Sequence, residues 1–317
     1  MTHGKFHFAR TCIVALVALG VATSPLRAQD EEEPDLGSKF QDRGPGAAVT
    51  PTTRSSDPLD EHDTSNLLDR RTEAAIKRAL DYLKKTQGTD GRWNGDDTNW
   101  VGYTSFAMVA FMLNGHFPNK KQPYGPTMTR ALDALLAESE GQVSGYIGTN
   151  MYAHGMATVA LSEAWGQTDK DDKVQEVLKN AVKVILASQN EAGGWRYAPQ
   201  PGGADVSVTA MQVVALAAAR QAGIFVPDET INRAVRYVGM CHHSATGGFT
   251  YMPGVGPAGF GRSAAATFSM MMLGRHDSRE VKGGVAYLLK EAPSAIKETH
   301  HYMYAMYYAS LCLYQAG

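Results

Sequence analysis

The chain has 317 residues, of which 30 are basic and 32 acidic, and 44% of the residues are hydrophobic. A net charge of −2 excludes nucleic acid and anionic membrane surfaces as expected partners, because both select a basic excess. From residue 67 onward the balance stays close to neutral, with 24 basic and 22 acidic side chains. That part, about 250 residues, is long enough for one domain with a substantial core.

The first 28 residues have the pattern of a targeting segment. Lys5 and Arg10 give a positive start, residues 12–23 form an apolar run, and Ala28 ends a segment typical of a cleavage site. We predict a signal peptide over residues 1–28 and export to the periplasm or the extracellular medium. An uncleaved anchor is the alternative. However, about a dozen apolar residues are too few to span a bilayer, so no transmembrane helix is expected in the mature chain.

Residues 29–66 have a composition unlike the rest of the chain. Ten acidic residues stand against Lys39, Arg43 and Arg54, and large apolar side chains are almost absent. Such a segment cannot bury enough surface to offset the entropy of ordering, so we predict a disordered acidic linker. Its acidic run, residues 30–33, is interpreted as solvated charge rather than as a calcium site.

The remainder, residues 67–317, is repetitive. Aromatic residues in Gly-rich turns recur at Trp93, Tyr146, Trp195 and Phe249, with spacings of 53, 49 and 54 residues. A period near 50 residues indicates a repeat architecture. In each unit an amphipathic helical pattern precedes the aromatic turn, and a helix of small apolar residues follows it.

The two helices of each unit are predicted to lie in different layers. Apolar residues of the segment 172–188 recur at helical spacing on one face, whereas Val206–Ala219 and Ser263–Leu273 are apolar on nearly every side. Apolar helices inside and amphipathic helices outside satisfy both patterns. A HEAT-like solenoid is the alternative, although its helices would normally keep one polar face. Five helix pairs are predicted, over residues 69–115, 124–166, 172–222, 228–274 and 278–316.

One turn carries a motif that is more specific than the repeat itself. Gln189 is followed by Gly193, Gly194 and Trp195, and then by an apolar helix that Asp205 or Ser207 is placed to cap. This QxxxxGW pattern resembles the glutamine–tryptophan repeat of the squalene–hopene cyclase and protein prenyltransferase superfamily. The resemblance extends over residues 67–317 and implies an all-α fold, the α/α toroid.

Two further stretches refine this resemblance. Residues 151–166 and 301–317 are similar to exported repeat proteins of the superfamily found in bacteria such as planctomycetes. A closed toroid of the family has six helix pairs, whereas five are found here, so we expect an incomplete ring. Its first and fifth pairs would then face each other across an apolar gap, covered by a protein partner, a second copy of the chain or part of the linker.

The chemistry of the cyclases is not matched by the residues. Their acid lies in a DxDDTA motif, and the corresponding segment here begins at Asp205 but has Ser207 and Val208 in place of the other two acids. Protonating an alkene requires a strong carboxylic acid in a dry pocket, which a serine cannot replace. Asp205 remains a weak candidate for a catalytic acid, and its role as a helix cap is preferred.

The zinc site of the prenyltransferases is not matched either. The mature chain keeps Cys241 and Cys312, and neither lies in the Asp-x-Cys arrangement of that family. The run Cys241-His242-His243 is interpreted as a helix carboxyl end, because adjacent ligands on one helix end point in different directions. We therefore expect no metal and no cofactor, and we expect the two cysteines to stay unbridged.

Polar and aromatic side chains at the starts of the inner helices form the predicted ligand site. Tyrosine rings offer an apolar face with a polar tip, which suits a hydrophobic, isoprenoid-like ligand in a central cavity. The alternative is that they fill the ring centre, and for His154 a hydrogen-bonded core histidine is preferred. The set comprises Tyr103, Tyr152, His154, Asp205, Ser207, Arg262, His301, Tyr304, Tyr307 and Tyr308.

Two functions remain open at this point. The first is an exported, non-catalytic repeat scaffold that binds a hydrophobic ligand or a protein partner. The second is a divergent isoprenoid cyclase or transferase whose acid is unidentified. The replaced acids and the absent zinc ligands favour the scaffold.

Overall fold

The computed structural model describes residues 70–95, 98–119, 121–141, 145–298 and 301–317, with the backbone alone at 294 and 296–298. The predicted signal peptide, residues 1–28, and the predicted linker, residues 29–66, lie outside the described residues.

The described residues form ten α-helices and no strand. In chain order they are α1 (Arg70–Thr86), α2 (Trp100–Leu113), α3 (Gly125–Glu140), α4 (Met151–Ala164), α5 (Asp171–Ser188), α6 (Val206–Ala222), α7 (Asp228–Met240), α8 (Phe260–Met272), α9 (Arg279–Glu298) and α10 (Tyr302–Ala316). They coincide with the five predicted pairs to within a few residues, so the helix count and the pairing are confirmed. No described helix combines the length and the apolar character needed to cross a membrane.

The helices are arranged in two layers. The even-numbered helices pack against each other in sequence, α2 on α4, α4 on α6, α6 on α8 and α8 on α10. The odd-numbered helices lie outside this row, and α5, α7 and α9 each contact the inner helices on both sides of them in sequence. The layers expected from the two hydrophobic patterns are therefore present.

Burial explains why the patterns separate in this way. In α6 every residue from Val206 to Ala219 is buried except Ser207, whereas α7 buries Ile231, Ala234, Tyr237 and Val238. A helix that is apolar all round is stable only when neighbours cover it on all sides, and a helix with one apolar stripe can face water. The layer of each helix thus follows from its sequence.

The turn between α5 and α6 joins the two layers. The Trp195 side chain is fully buried, and its indole N–H donates to the carbonyl of Ile185 near the end of α5, at 2.8 Å. The Gln189 amide donates to the carbonyl of Gly193 at 2.9 Å and to that of Thr230 in α7 at 3.0 Å. The indole satisfies a carbonyl that the end of α5 leaves without an internal partner, and the amide joins the turn to the start of α7.

The first repeat uses the same bonds. The Trp93 indole donates to Leu83 at 2.9 Å, and the Gln87 amide donates to Gly91 and to Thr127 in α3, both at 2.9 Å. In both repeats the glutamine therefore links its own turn to the next outer helix. The motif is structural in two of the five pairs.

A glycine makes this close approach feasible. Gly193 has φ 97°, and a Cβ built there would lie 2.2 Å from the Arg233 carbonyl oxygen of α7. Both the left-handed backbone and the lack of space require glycine at this position.

The ends of the helix row meet through side chains. The rings of Phe106 in α2 and Tyr307 in α10 pack edge to face with centroids 5.5 Å apart. Among the described residues, the extensive packing that joins consecutive inner helices is not repeated between α2 and α10. A solenoid would hold its first and fifth repeats apart, so this contact identifies a ring, the α/α toroid.

The expected gap is therefore narrow at the inner layer. Tyr82 of α1 and Tyr302 of α10 are 47% and 41% exposed, so apolar surface does remain on the first and fifth pairs. Coverage of that surface by a partner, a second copy or the linker stays a prediction.

The two cysteines of the described residues are free and buried. Cys241 caps the end of α7, and Cys312 lies in α10. The expectation that they stay unbridged is confirmed.

Replacing Trp195 by alanine should reduce the free energy of unfolding by about 3–5 kcal/mol, as truncation of a buried aromatic ring does. The ring volume is lost, and the Ile185 carbonyl loses its donor. Phe225→Ala is the matched control, because that ring is 82% exposed, and it should change stability by less than about 0.5 kcal/mol. Urea unfolding of both variants measures the difference. A loss below about 1 kcal/mol for Trp195→Ala would contradict the structural role.

Candidate functional site: a tyrosine and arginine cluster at the inner-helix starts

Two loops bring side chains over the amino ends of the inner helices. The backbone carbonyl of Tyr197 accepts from the Met151 N–H at the start of α4, at 2.8 Å. The carbonyl of Tyr251 accepts from the Val206 N–H at the start of α6, at 2.9 Å. Each aromatic turn thus caps the preceding inner helix, and this bond fixes Tyr197 and Tyr251 above the ring centre.

Tyrosines of α10 fill the ring centre beneath these loops. Tyr308 is fully buried, its hydroxyl lies 3.2 Å from that of Tyr152, and its ring centroid is 5.0 Å from that of Tyr304 and 4.9 Å from that of Tyr307. Burial raises the pKa of Tyr152 and Tyr308 well above the usual value, so both hydroxyls keep their protons. At this level the centre is packed with side chains rather than open as the predicted cavity.

Two arginines lie above this packed centre. The guanidinium carbons of Arg196 and Arg262 lie 5.9 and 5.8 Å from the centroid of the same ring, that of Tyr251. Arg196 is also 5.9 Å from the Tyr197 ring, and the hydroxyls of Tyr197 and Tyr251 are 3.4 Å apart. Positive charges at these distances are attracted by the negative faces of the rings.

Asp205 lies below the arginines at the start of α6. Its Oδ1 accepts from the Val208 N–H at 2.9 Å, which confirms the predicted helix cap. Its Oδ2 is buried without a hydrogen bond of good geometry, and the nearby Tyr251 hydroxyl favours the ionised form. The residue is fully buried, and desolvation raises its pKa to about 6 against the favourable bond from Val208.

His154 has a structural role. The Ile147 N–H donates to Nδ1 at 3.1 Å, so Nε2 carries the proton and donates to the Ala181 carbonyl, also at 3.1 Å. His154 is the fourth residue of α4, and the fourth residues of α6 and α8 are Thr209 and Ser263. Their hydroxyls accept the backbone N–H groups of Trp195 and Phe249, respectively. Burial lowers the His154 pKa to about 4, so the ring is neutral. It is the hydrogen-bonded core histidine that the sequence favoured.

The other predicted residues divide into two groups. Ser207 lies beside the buried hydroxyl of Tyr304, and both belong to the cluster. Tyr103 packs on Gly95, where a Cβ would lie 2.6 Å from its ring. His301 is exposed at the amino end of α10 with φ 56°. Among the described contacts, none joins His301 to the tyrosines. A role for these residues in ligand binding stays a prediction.

Sequence reasoning missed Arg196, Tyr197 and Tyr251. They follow the turn aromatics directly, since Tyr197 and Tyr251 each lie two residues after Trp195 and Phe249. The sequence does contain a signal for the tyrosine pair, because Tyr197 and Tyr251 occupy equivalent positions in the loops of two successive repeats. Arg196 has no such signal, because its position depends on how the loop folds back.

Two further features of the structure concern metal and ligand binding. Among the described residues, no group of three or more His, Cys, Asp or Glu side chains could hold a metal ion. An open notch of about 540 Å³ lies in the loop between α6 and α7, with Arg220 and Phe225 among its lining residues. This notch follows the carboxyl end of α6 and is therefore distinct from the cluster at the helix starts.

Comparison with known proteins bears on the fold alone. No family model and no curated protein matches the chain. A protein of known structure from Actinoplanes is similar with a TM-score of 0.51 and 13% sequence identity, over 78% of this chain and 84% of that chain. A glycosidase is similar with a TM-score of 0.48 and 12% identity, over 77% and 81%. The class that the fold defines is an all-helical α/α toroid.

The buried carboxyl of Asp205 predicts a pH effect on stability. Because its pKa is raised from 3.8 to about 6 by burial, its contribution to the free energy of unfolding falls as pH rises from about 4 to 6, by up to about 3 kcal/mol. Asp205→Asn keeps a helix-capping side chain and removes this penalty. The variant should therefore be more stable than the wild type at pH 7. Asp277→Asn, at a fully exposed position, should show no such gain in urea unfolding.

A destabilised Asp205→Asn variant at pH 7 would mean that the ionised carboxylate is favoured in the folded protein. That result would contradict a pKa of Asp205 raised by burial.

His154 predicts the opposite pH effect. With its pKa lowered from 6.5 to about 4 by burial, its contribution is complete above pH 6.5 and is lost as pH falls toward 4, again by up to about 3 kcal/mol. Asp205→Asn should make this acid loss visible, because the compensating aspartate effect is gone. His154→Thr should abolish the acid loss and cost about 1–3 kcal/mol at pH 7, since the buried bond from the imidazole to the Ala181 carbonyl is lost. Urea unfolding at several pH values measures this. If the free energy of unfolding changes equally with pH between 4.5 and 6.5 in the wild type and in His154→Thr, the lowered pKa of His154 is refuted.

Proposed function

We propose that this chain is an exported, non-catalytic scaffold that binds a hydrophobic ligand or a protein partner. Its binding surface is the face above the inner-helix starts, formed by Arg196, Arg262, Tyr197, Tyr251 and Tyr304. Export rests on the signal pattern of residues 1–28. Resemblance to the squalene–hopene cyclase and prenyltransferase superfamily rests on the glutamine–tryptophan turns.

The packed tyrosine centre is the observation that carries this proposal. A cyclase must enclose its substrate in a dry cavity, and here the level of Tyr152, Tyr304 and Tyr308 is occupied by side chains in mutual contact. A ligand that stays above this level lies on half-buried ring faces. That arrangement suits binding without enclosure.

The state of Asp205 supports the same conclusion. Desolvation gives it a pKa of about 6, which makes it a weaker proton donor than an ordinary carboxylic acid. Protonation of an alkene requires a stronger acid, and Ser207 and Val208 replace the two acids that accompany it in the cyclases.

A divergent isoprenoid cyclase or transferase is the second candidate. The observation in its favour is again Asp205, because a buried carboxyl with a raised pKa, next to the Tyr251 hydroxyl, is an arrangement that active sites often contain. In this function Asp205 would be the acid, and the tyrosines would have to separate to admit the substrate.

Two measurements separate these functions. The domain purified from its native host should release a co-purifying lipid or other ligand on solvent extraction, identified by mass spectrometry. The same preparation should hold no stoichiometric zinc after dialysis and should not convert squalene to a cyclic product. Asp205→Asn should leave the extracted ligand unchanged, because Asp205 is a helix cap in the scaffold.

A cyclic product formed by the wild type and abolished in Asp205→Asn would overturn the scaffold in favour of the cyclase. Absence of any co-purifying ligand or protein, compared with a mock purification, would contradict the binding function.

A further inference from the structure

Two Asn-Gly dipeptides lie in loops on either side of α2. Asn94 and Gly95 follow the turn aromatic Trp93, and Asn114 and Gly115 follow the carboxyl end of the helix. In such a pair the side-chain amide carbon lies close to the backbone nitrogen of a residue that has no Cβ to shield it. Among asparagines, those before glycine are therefore the most open to attack by the following backbone nitrogen.

The first dipeptide is exposed and is not held by hydrogen bonds. Asn94 and Gly95 are both exposed and belong to no helix. Among the contacts of the described residues, none has the Asn94 side chain or the Gly95 N–H as a hydrogen-bond partner. The side-chain carbon and the backbone nitrogen can therefore approach each other without a hydrogen bond being broken first.

The second dipeptide is held by two hydrogen bonds. The Asn114 Nδ2 donates to the Ala110 carbonyl at 2.8 Å, and the Gly115 N–H donates to the Met112 carbonyl at 2.9 Å. Both reacting groups are thus engaged at the end of α2. Since both bonds must break before the nitrogen can attack, they add to the barrier for that step.

Packing of Tyr103 explains why a glycine stands directly after Asn94. A Cβ built on Gly95 would lie 2.6 Å from the Tyr103 ring, a distance that real Cβ atoms do not reach. A larger residue would shield the backbone nitrogen, but the ring leaves no space for it. The fold therefore requires the glycine that makes this dipeptide reactive.

We propose that Asn94 is a site of non-enzymatic deamidation and that the fold protects Asn114. Solvent hydroxide removes the amide proton of Gly95, and the nitrogen bonds to Cγ of Asn94. The side-chain nitrogen takes a proton from water and leaves as ammonia, which gives a succinimide. Water then opens this ring, at Cγ to leave isoaspartate's isomer aspartate, or at the backbone carbonyl to leave isoaspartate. The net reaction consumes water, releases ammonia and replaces an amide by a carboxylate.

The modified loop lies at the end of the ring that carries the candidate site. Asn94 directly follows the turn aromatic Trp93, as Arg196 follows Trp195 in the third repeat. Deamidation adds a negative charge at this position, and isoaspartate also adds a methylene group to the backbone before α2. The inference does not depend on the proposed binding function, because it requires neither a ligand nor a partner.

Peptide mapping by mass spectrometry tests this on the purified full mature chain. The folded protein is incubated at pH 7 and at pH 9, and the converted fraction of each asparagine is followed together with the ammonia released. We expect Asn94 to deamidate at least about tenfold faster than Asn114, because two hydrogen bonds hold the second site. The rate at Asn94 should rise with pH, since the attacking nitrogen is deprotonated. Unfolding in urea should remove the difference between the two sites.

Asn94→Gln is the test variant, because glutamine keeps the amide but would have to close a larger ring, which forms more slowly. It should abolish most of the ammonia release from the folded protein. Asn114→Gln is the matched control and should leave the release unchanged. Circular dichroism of each variant establishes that the fold is kept.

Each outcome decides for or against the inference. Equal rates at the two asparagines of the folded protein would overturn it, and so would an unmodified Asn94 after incubation at pH 9. A difference that persists in urea would mean that the neighbouring sequence protects Asn114, which contradicts protection by the fold. Ammonia release that disappears in Asn94→Gln and persists in Asn114→Gln would support it.

Discussion

The carboxyl ends of the outer helices impose the constraint on which this structure depends. Each such end leaves carbonyl groups without internal donors at the point where the chain must turn inward. The indole of Trp195 supplies such a donor to the Ile185 carbonyl, and the amide of Gln189 bonds the Gly193 carbonyl of its own turn and the Thr230 carbonyl of the following outer helix. One turn therefore closes its own helix and fixes the distance to the next pair. Repetition of these bonds at Trp93 and Gln87 shows that a local need for hydrogen bonds sets the geometry of the ring.

The same turns place the candidate site. Because the carbonyls of Tyr197 and Tyr251 cap α4 and α6, their side chains are held over the amino ends of the inner helices. Glycines at 203 and 259 then let the arginines lie on the Tyr251 ring. The position of the cluster thus follows from the repeat, and its positive charge comes from Arg196 in the loop before α6 and Arg262 in the first turn of α8. Asp205 and His154 are both buried, and burial raises the pKa of Asp205 and lowers that of His154. Each residue therefore favours its neutral form, and their effects on stability oppose each other between pH 4 and 6.

His154 illustrates how a repeat can assign a role that residue chemistry obscures. A histidine near a ring centre suggests catalysis, yet its position in α4 corresponds to Thr209 in α6 and Ser263 in α8. All three accept a hydrogen bond from a backbone N–H of the preceding turn. The larger imidazole also reaches the Ala181 carbonyl of α5, which the shorter hydroxyls do not need to do. Comparison of equivalent positions in the helix pairs therefore identifies polar residues with a structural role. Arg196 has no such equivalent in the other turns.

The sequence by itself determined the ten helices, their pairing and the layer of each, because hydrophobic periodicity and turn glycines are local properties of the chain. It also determined the Asp205 cap and the part played by Trp195, since both act within about ten residues. Only the tertiary structure decided which side chains meet at the ring centre. The contacts of Tyr308 with Tyr152 and of Phe106 with Tyr307 join helices far apart in sequence. The arginines converge on Tyr251 from the loop before α6 and from the first turn of α8. Such convergence depends on the curvature of the whole ring, which no local pattern encodes.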